Sequence, residues 1–247
     1  MRIAFDLDGV LADLHEPFVE TALRLFPELD LRSISTADVG ASPPDDGSGD
    51  GAAPPADGTA PPPNLSLTRH QNDAVWRAIN QTTDFWEQLK EIEHGAIARL
   101  AKIADERRWE ILFITSRPKS AGRTVQRQSQ RWLERNGFPL PSCYVVHGSR
   151  GRIASALAID VVIDDRPDNC LDIVLESRAG AILVWRGPTA SVPGSAKRLG
   201  IAVVPTVAEA IDALIVAESG DAGEGLLDRL RTIFGLRTKS KSPLIRS

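Results

Sequence analysis

The sequence predicts an α/β fold, a parallel sheet covered by helices on both faces, with a small helical unit inserted after the first strand. Three observations carry this reading. From about residue 93 to 216, short apolar runs alternate with helical stretches, the pattern of strand-helix-strand units that close a parallel sheet. The opening run Ile3, Ala4 and Phe5 reads as a strand that ends in two aspartates, Asp6 and Asp8, and a glycine. Between that strand and the alternating region lie two helical patterns separated by a stretch of low complexity.

Taken in order, the first strand already poses a question. Residues two apart in a strand project to the same side, so Asp6 and Asp8 would point together from its carboxyl end. Like charges held that close are costly unless something positive sits between them. The next stretch, "HEPFVETALRLFPEL", places Phe18, Ala22, Leu25 and Phe26 on one face, and "TRHQNDAVWRAINQTTDFWEQL" does the same with Ala74, Val75, Ile79 and Phe85. Both predict amphipathic helices. Residues 41–63 between them hold seven prolines, four glycines and four aspartates. Such a segment buries too little apolar surface to offset its ordering entropy, and disorder is the expectation.

The continuation reads as helix "GAIARLAKIADERR", strand "WEILFITS", basic helix "AGRTVQRQSQRWLERNG", strand "SCYVVHG" and helix "RGRIASALA". Strand "IDVVIDD", helix "PDNCLDIVLES", strand "AGAILVW", and a short strand and helix in "IAVVPTVAEAIDAL" complete it. The predicted organisation is an α/β core over 1–13 and 93–216, a helical cap over 14–92, and a linker with a basic amphipathic tail over 217–247. In that tail Leu226, Leu227, Leu230, Ile233 and Phe234 share a face, which predicts docking on the chain's own domain or on a partner.

Composition narrows the function classes. The chain has 247 residues, 42% hydrophobic and 25% charged, with a formal net charge of −4 and a pI near 5.6. Nothing global favours nucleic acid as a partner. Cys143 and Cys170 follow no zinc-binding spacing and read as free, buried thiols. No basic, apolar leader opens the chain, and no apolar run approaches the ~20 residues of a membrane span. A reducing cytoplasm is the expected location.

In parallel sheets ligands bind beyond the carboxyl ends of the strands. There the sequence offers Asp6 and Asp8, then Thr115, Ser116 and Arg117, then Asp164 and Asp165 with Asp168 a turn later. Carboxylates without histidine or cysteine suit a hard cation such as Mg²⁺, whose shell waters and a substrate phosphate complete. Thr115 or Ser116 and nearby backbone N–H groups would hold that phosphate. Asp168 reads either as a partner of the acidic cluster or as a helix N-terminal charge. Arg117, Arg123, Arg127 and Arg131 make the following helix basic, with the last three on one face, which reads as solvated rather than as a surface for a polyanion. Trp76, Phe85 and Trp86 read chiefly as core, with stacking on a base as the alternative. His15, His70, His94 and His147 read as surface or structural groups, His15 alternatively as lining the cap side of the site.

"FDLDGVLAD", "FITSRP" and "VIDDRPDN", in this order, resemble motifs I, II and IV of the haloacid dehalogenase-like hydrolases, whose core is a Rossmann-like sheet. The insertion point and the run "FWEQLKEIEHGA" resemble the 5′(3′)-deoxyribonucleotidase-like branch. The resemblance implies Asp6 as the nucleophile that forms an aspartyl-phosphate, and Asp8 as general acid and base, its backbone carbonyl helping to hold Mg²⁺. It implies Thr115 as phosphoryl binder with Ser116 as a second donor. Asp164 becomes a direct metal ligand, and Asp165 a ligand through water or an orienting group. Where the family keeps a lysine, Arg150 aligns, with Arg152 close by. Arginine retains the charge but is a planar fork rather than a compact ammonium. The implied function is a Mg²⁺-dependent phosphomonoester hydrolase, 5′-nucleotidase-like on (deoxy)nucleoside monophosphates. The alternative is a catalytically weakened phosphate-binding or regulatory protein that engages a partner.

Overall fold

The computed structural model describes residues 1–29, 67–219 and 225–236. The stretch expected to be disordered, 41–63, and the end of the basic tail lie outside the described residues.

Six parallel strands form the main sheet in the order β5-β4-β1-β6-β7-β8. They are β1 (Arg2–Phe5), β4 (Glu110–Thr115), β5 (Ser142–Val145), β6 (Val161–Asp164), β7 (Gly180–Val184) and β8 (Ala202–Val204). β1 takes the centre because Ile3, Ala4 and Phe5 are apolar towards both faces, and all three are fully buried. The strand period of two splits the core accordingly. Ile3, Phe5, Phe113 and Ile163 pack on one side of the sheet with Trp132, Leu100 and Ile211. Ala4, Leu112, Ile114 and Val162 pack on the other with Cys170 and Ile173.

The chain runs outward from β1 to β4 and β5, then returns to β6 on the other side of β1. That reversal makes the crevice above β1 the switch point of the sheet. Register brings the strand ends level there. Phe5 stands opposite Phe113 and Ile163, and the Asp6 N–H continues the ladder to the Ile163 carbonyl at 2.9 Å. Asp6 and Asp164, each one residue further on, therefore emerge side by side.

Helices α3 (Ala96–Arg107), α4 (Val125–Arg135), α5 (Arg150–Ala156), α6 (Pro167–Glu176) and α7 (Gly194–Arg198) connect the strands, and α8 (Val207–Ser219) follows the last of them. α4 begins at Val125, four residues later than its basic pattern implied, because Thr124 is the N-cap and accepts from the Arg127 N–H. α8 runs to Ser219, past the expected boundary at 216, and keeps Ala217 buried.

The insertion enters through β2 (Ala12–Asp13) and leaves through β3 (Lys90–Glu91), which pair antiparallel, a ladder the sequence reading did not contain. α1 (His15–Leu25) and α2 (Arg69–Gln81) pack together through Phe18 and Trp76, ring centroids 5.5 Å apart. α2 starts in a capping box between Thr68 and Gln71. It ends well before Leu89, where the sequence pattern ran on. Thr82 turns extended and Asp84 adopts a left-handed backbone, φ 51°, which closes a single 3-10 turn at Phe85–Glu87. Phe85 reaches the core from that turn, not from the face of α2.

The tail helix α9 (Leu226–Ile233) docks on its own domain. Leu230 is buried, and Leu226, Leu227 and Phe234 pack against the core. Ile233, expected on the same face, is 41% exposed. Leu227 rests on Gly180, where any added Cβ would meet its Cδ2 at 2.5 Å. Gly180 opens β7, so the docking lies at the amino ends of the strands, opposite the crevice. No described helix is long and apolar enough to cross a membrane.

Candidate active site

The crevice above β1 collects its charges from four places. Asp6 and Asp8 come from the turn after β1, Thr115 and Arg117 from the end of β4, Arg150 from the first turn of α5, and Asp164 and Asp165 from the end of β6. Gly9 makes the close packing feasible. It has φ 81°, and a Cβ there would fall 2.0 Å from Asp165 Oδ2.

Two arginines meet the first two carboxylates. Arg150 Nη2 donates to Asp6 Oδ1 at 2.9 Å, and both side chains are nearly buried. Its other terminal nitrogen, Nη1, is buried without a partner. Arg117 grips Asp8 with Nε at 2.8 Å from Oδ2 and Nη2 at 2.8 Å from Oδ1. Thr115 Oγ1 lies 3.4 Å from the same Asp8 Oδ2. Asp164 accepts from the Arg166 N–H at 2.8 Å and from Asn169 Nδ2 at 3.0 Å.

These pairings leave negative charge in excess. Burial pushes the Asp6 carboxyl well above the usual carboxylate range, Asp164 pushes it further, and Arg150 offsets part of this. Asp164 moves up for the same first reason, eased by Arg150 and by the hydrogen bonds it accepts. Asp165 is pushed up to about 7 by burial and then by Asp164. A desolvated crevice with three carboxylates held off their ordinary ionisation is electrostatically matched to a cation.

The donor set offers oxygen only, as a hard divalent ion requires. Among the described residues no three acidic, histidine or cysteine side chains close into a ready cage. Mg²⁺ needs none, since it takes one or two carboxylates and completes its octahedron with water and substrate oxygens. Asp6 and Asp164 fit that role, with Asp165 beside them.

The structure therefore brings Asp6, Asp8, Thr115, Arg150, Asp164 and Asp165 into one crevice. Ser116 follows Thr115 at its mouth, half-buried. Asp168 stays outside, exposed in the first turn of α6, which makes it a helix N-terminal charge. Arg152 is exposed as well. Arg117 corrects the sequence reading. It belongs to no solvated helix face; it precedes α4 and is 2% exposed. Arg123 and Arg131 are exposed, as that reading has it, and in addition engage the buried Glu87. Arg127 alone of the four is simply solvent-facing. Sequence reasoning also passed over Asn169, although its place in "VIDDRPDN", five residues after Asp164, puts it one helical turn from the strand end. Trp76, Phe85 and Trp86 are all core, both cysteines are buried thiols, and the four histidines are exposed.

No family model and no curated protein matches the sequence. Among solved structures, the chain is similar to a hydrolase from Pseudomonas syringae, with a TM-score of 0.47 and 14% identity over 90% of this chain and 100% of that one. It is also similar to a HAD hydrolase, family IA, variant 3, from Entamoeba histolytica HM-1:IMSS, with a TM-score of 0.42 and 12% identity over 93% and 99% of the two chains.

Proposed function

We propose that this protein is a Mg²⁺-dependent phosphomonoester hydrolase that works through an aspartyl-phosphate on Asp6. One observation supports the reading most. Asp6, at the carboxyl end of the central strand, is buried beside Asp164, and Arg150 holds one of its oxygens while keeping a buried, unpartnered Nη1. A phosphoryl oxygen is the acceptor that such an orphaned donor lacks. A bound Mg²⁺ would neutralise the charge of the transferring phosphoryl group.

In this reading an Asp6 oxygen attacks phosphorus, and Asp8 protonates the leaving oxygen and later activates water. Thr115 and Ser116 supply hydroxyl donors to the phosphoryl oxygens, and Arg150 supplies the guanidinium. The motif resemblance and the inserted cap favour a 5′-nucleotidase-like enzyme acting on (deoxy)nucleoside monophosphates.

A second reading has its own support, because the guanidinium of Arg150 sits directly on the nucleophile. A fork that stays on Asp6 would leave a phosphate-binding protein with feeble turnover. Phosphate release from nucleoside monophosphates and sugar phosphates, with and without Mg²⁺, separates the two. Mg²⁺-dependent release that disappears in Asp6→Asn upholds the hydrolase. Release that is feeble in the native protein and rises in Arg150→Lys upholds the weakened form, and no Asp6-dependent release from any substrate rejects the hydrolase.

A further inference from the structure

Arg117 is a buried cation with every nitrogen committed. Besides the two contacts to Asp8 given above, Nε lies 3.1 Å from Asp8 Oδ1, and Nη1 donates to Ser129 Oγ at 2.9 Å. Its guanidinium lies over two indoles, 4.9 Å from the centroid of Trp86 and 5.7 Å from that of Trp132. Each indole is fixed in turn. Trp86 Nε1 donates to the Pro118 carbonyl at 3.1 Å, and Trp132 Nε1 to the Leu89 carbonyl at 2.7 Å. Fork, slot and Ser129 together determine the plane of the guanidinium, and the guanidinium determines the plane of the Asp8 carboxyl.

Net stability is a poor explanation for such a pair. Apolar replacements of buried ion pairs are often neutral or stabilising, because desolvation offsets the attraction. Orientation is what the arrangement supplies, and Asp8 is the group whose orientation the chemistry needs.

We propose that Arg117 is a positioning residue that fixes Asp8 for proton transfer, an inference that rests on the phosphatase reading above. In the first step a bond forms between an Asp6 oxygen and phosphorus while the bond from phosphorus to the leaving oxygen breaks. That oxygen takes the proton of the Asp8 carboxyl, and an alcohol departs. In the second step the Asp8 carboxylate takes a proton from water, whose oxygen bonds to phosphorus as the bond to Asp6 breaks. Inorganic phosphate leaves, and Asp6 returns as a carboxylate. Both protons pass through one carboxyl, and Arg117 touches both of its oxygens.

The test uses the leaving group. An alkoxide needs a placed proton, whereas p-nitrophenolate departs without one. The ratio kcat/KM reports the steps up to formation of the aspartyl-phosphate, so it isolates the first transfer. In Arg117→Met, which keeps the slot between the indoles filled, kcat/KM for a nucleoside monophosphate is expected to fall about 10²-fold, the scale of general acid catalysis. For p-nitrophenyl phosphate the expected fall is under about tenfold. Ser129→Ala, which loosens the fork without touching Asp8, should shift the same ratio in the same direction by less. Equal losses for both substrates in both variants would overturn the proposal and leave Arg117 a packing group. Native protein that shows no Asp6-dependent release removes the phosphatase reading itself, and this inference with it; active native protein with equal losses removes the inference alone.

Discussion

Two charge clusters in this molecule both engage α4, one through Ser129 and the other through Arg131 and Arg135, and they are built to opposite plans. In the crevice four carboxylates, Asp6, Asp8, Asp164 and Asp165, face two arginines, Arg117 and Arg150. At the exit of the cap two carboxylates, Glu87 and Asp84, the latter paired with Arg123, face three. Arg131 Nε donates to Glu87 at 3.0 Å, Arg135 Nη2 at 2.7 Å, and Arg123 Nη1 lies 3.6 Å away. Those arginines are about half exposed while Glu87 is buried, so water screens the surplus cations. In the crevice the surplus is anionic and desolvated; burial lifts the Asp6, Asp164 and Asp165 carboxyls off their ordinary values, and repulsion from Asp164 adds to the rise at Asp6 and Asp165. A knot that satisfies itself fastens the exit segment onto α4. A cluster left out of balance has a use for a ligand.

The comparison is broken most sharply by neutralising one carboxylate on each side. If Asp6 is the nucleophile of the proposed hydrolase, Asp6→Asn is expected to lower phosphate release by roughly 10³-fold or more, since the proposed mechanism has no substitute for it. Its melting temperature should stay within a few degrees of the native value. Glu87→Ala should do the reverse. Removing one member of a buried ion pair costs about 3–5 kcal/mol, and the exposure of the three arginines reduces this to roughly 2 kcal/mol. In a domain of this size that is a fall of about 4–8 °C in melting temperature, with turnover per folded molecule little changed. A Glu87→Ala protein that melts like the native one but loses turnover would place the knot with the chemistry.

How far the sequence reveals these plans depends on the range of the signal. The sheet is legible because strand periodicity and the acids at strand ends are local, and the two apolar faces of β1 place it centrally. Asp6, Asp8, Thr115 and Asp164 are legible through the ends of three strands. Arg117 stands at one of those ends too, but its partner, like the partners of Glu87, is not legible. Those contacts join residues 109 and 44 positions apart, where Arg117 meets Asp8 and Glu87 meets Arg131, and a charge count over residues 117–131 cannot show that Arg117, ahead of α4, turns inward. The break after Gln81 is hidden for another reason. Its apolar spacing continues as if helical, and it is the extended Thr82 and the left-handed backbone of Asp84 that interrupt it.

A gentler probe of the imbalance is pH. The Asp165 carboxyl has an ordinary value of 3.8 and is pushed up to about 7 in the fold, so the folded chain holds a proton that the unfolded chain has lost between those values. Stability linked to that group is fully present below about pH 4, falls as pH rises towards 7, and is flat above. Asp6 and Asp164 shift in the same direction and steepen the fall. Metal-free protein should therefore lose several degrees of melting temperature between about pH 5 and pH 8, and Asp165→Asn should lose less. The Mg²⁺ of the proposed function would act against this slope, because the ion binds ionised carboxylates. Its stabilisation should be greater at about pH 8 than at pH 5 and smaller in Asp165→Asn. Identical slopes in the native and Asp165→Asn proteins, with a Mg²⁺ effect independent of pH, would mean that the crevice carries no excess of charge for a cation to neutralise.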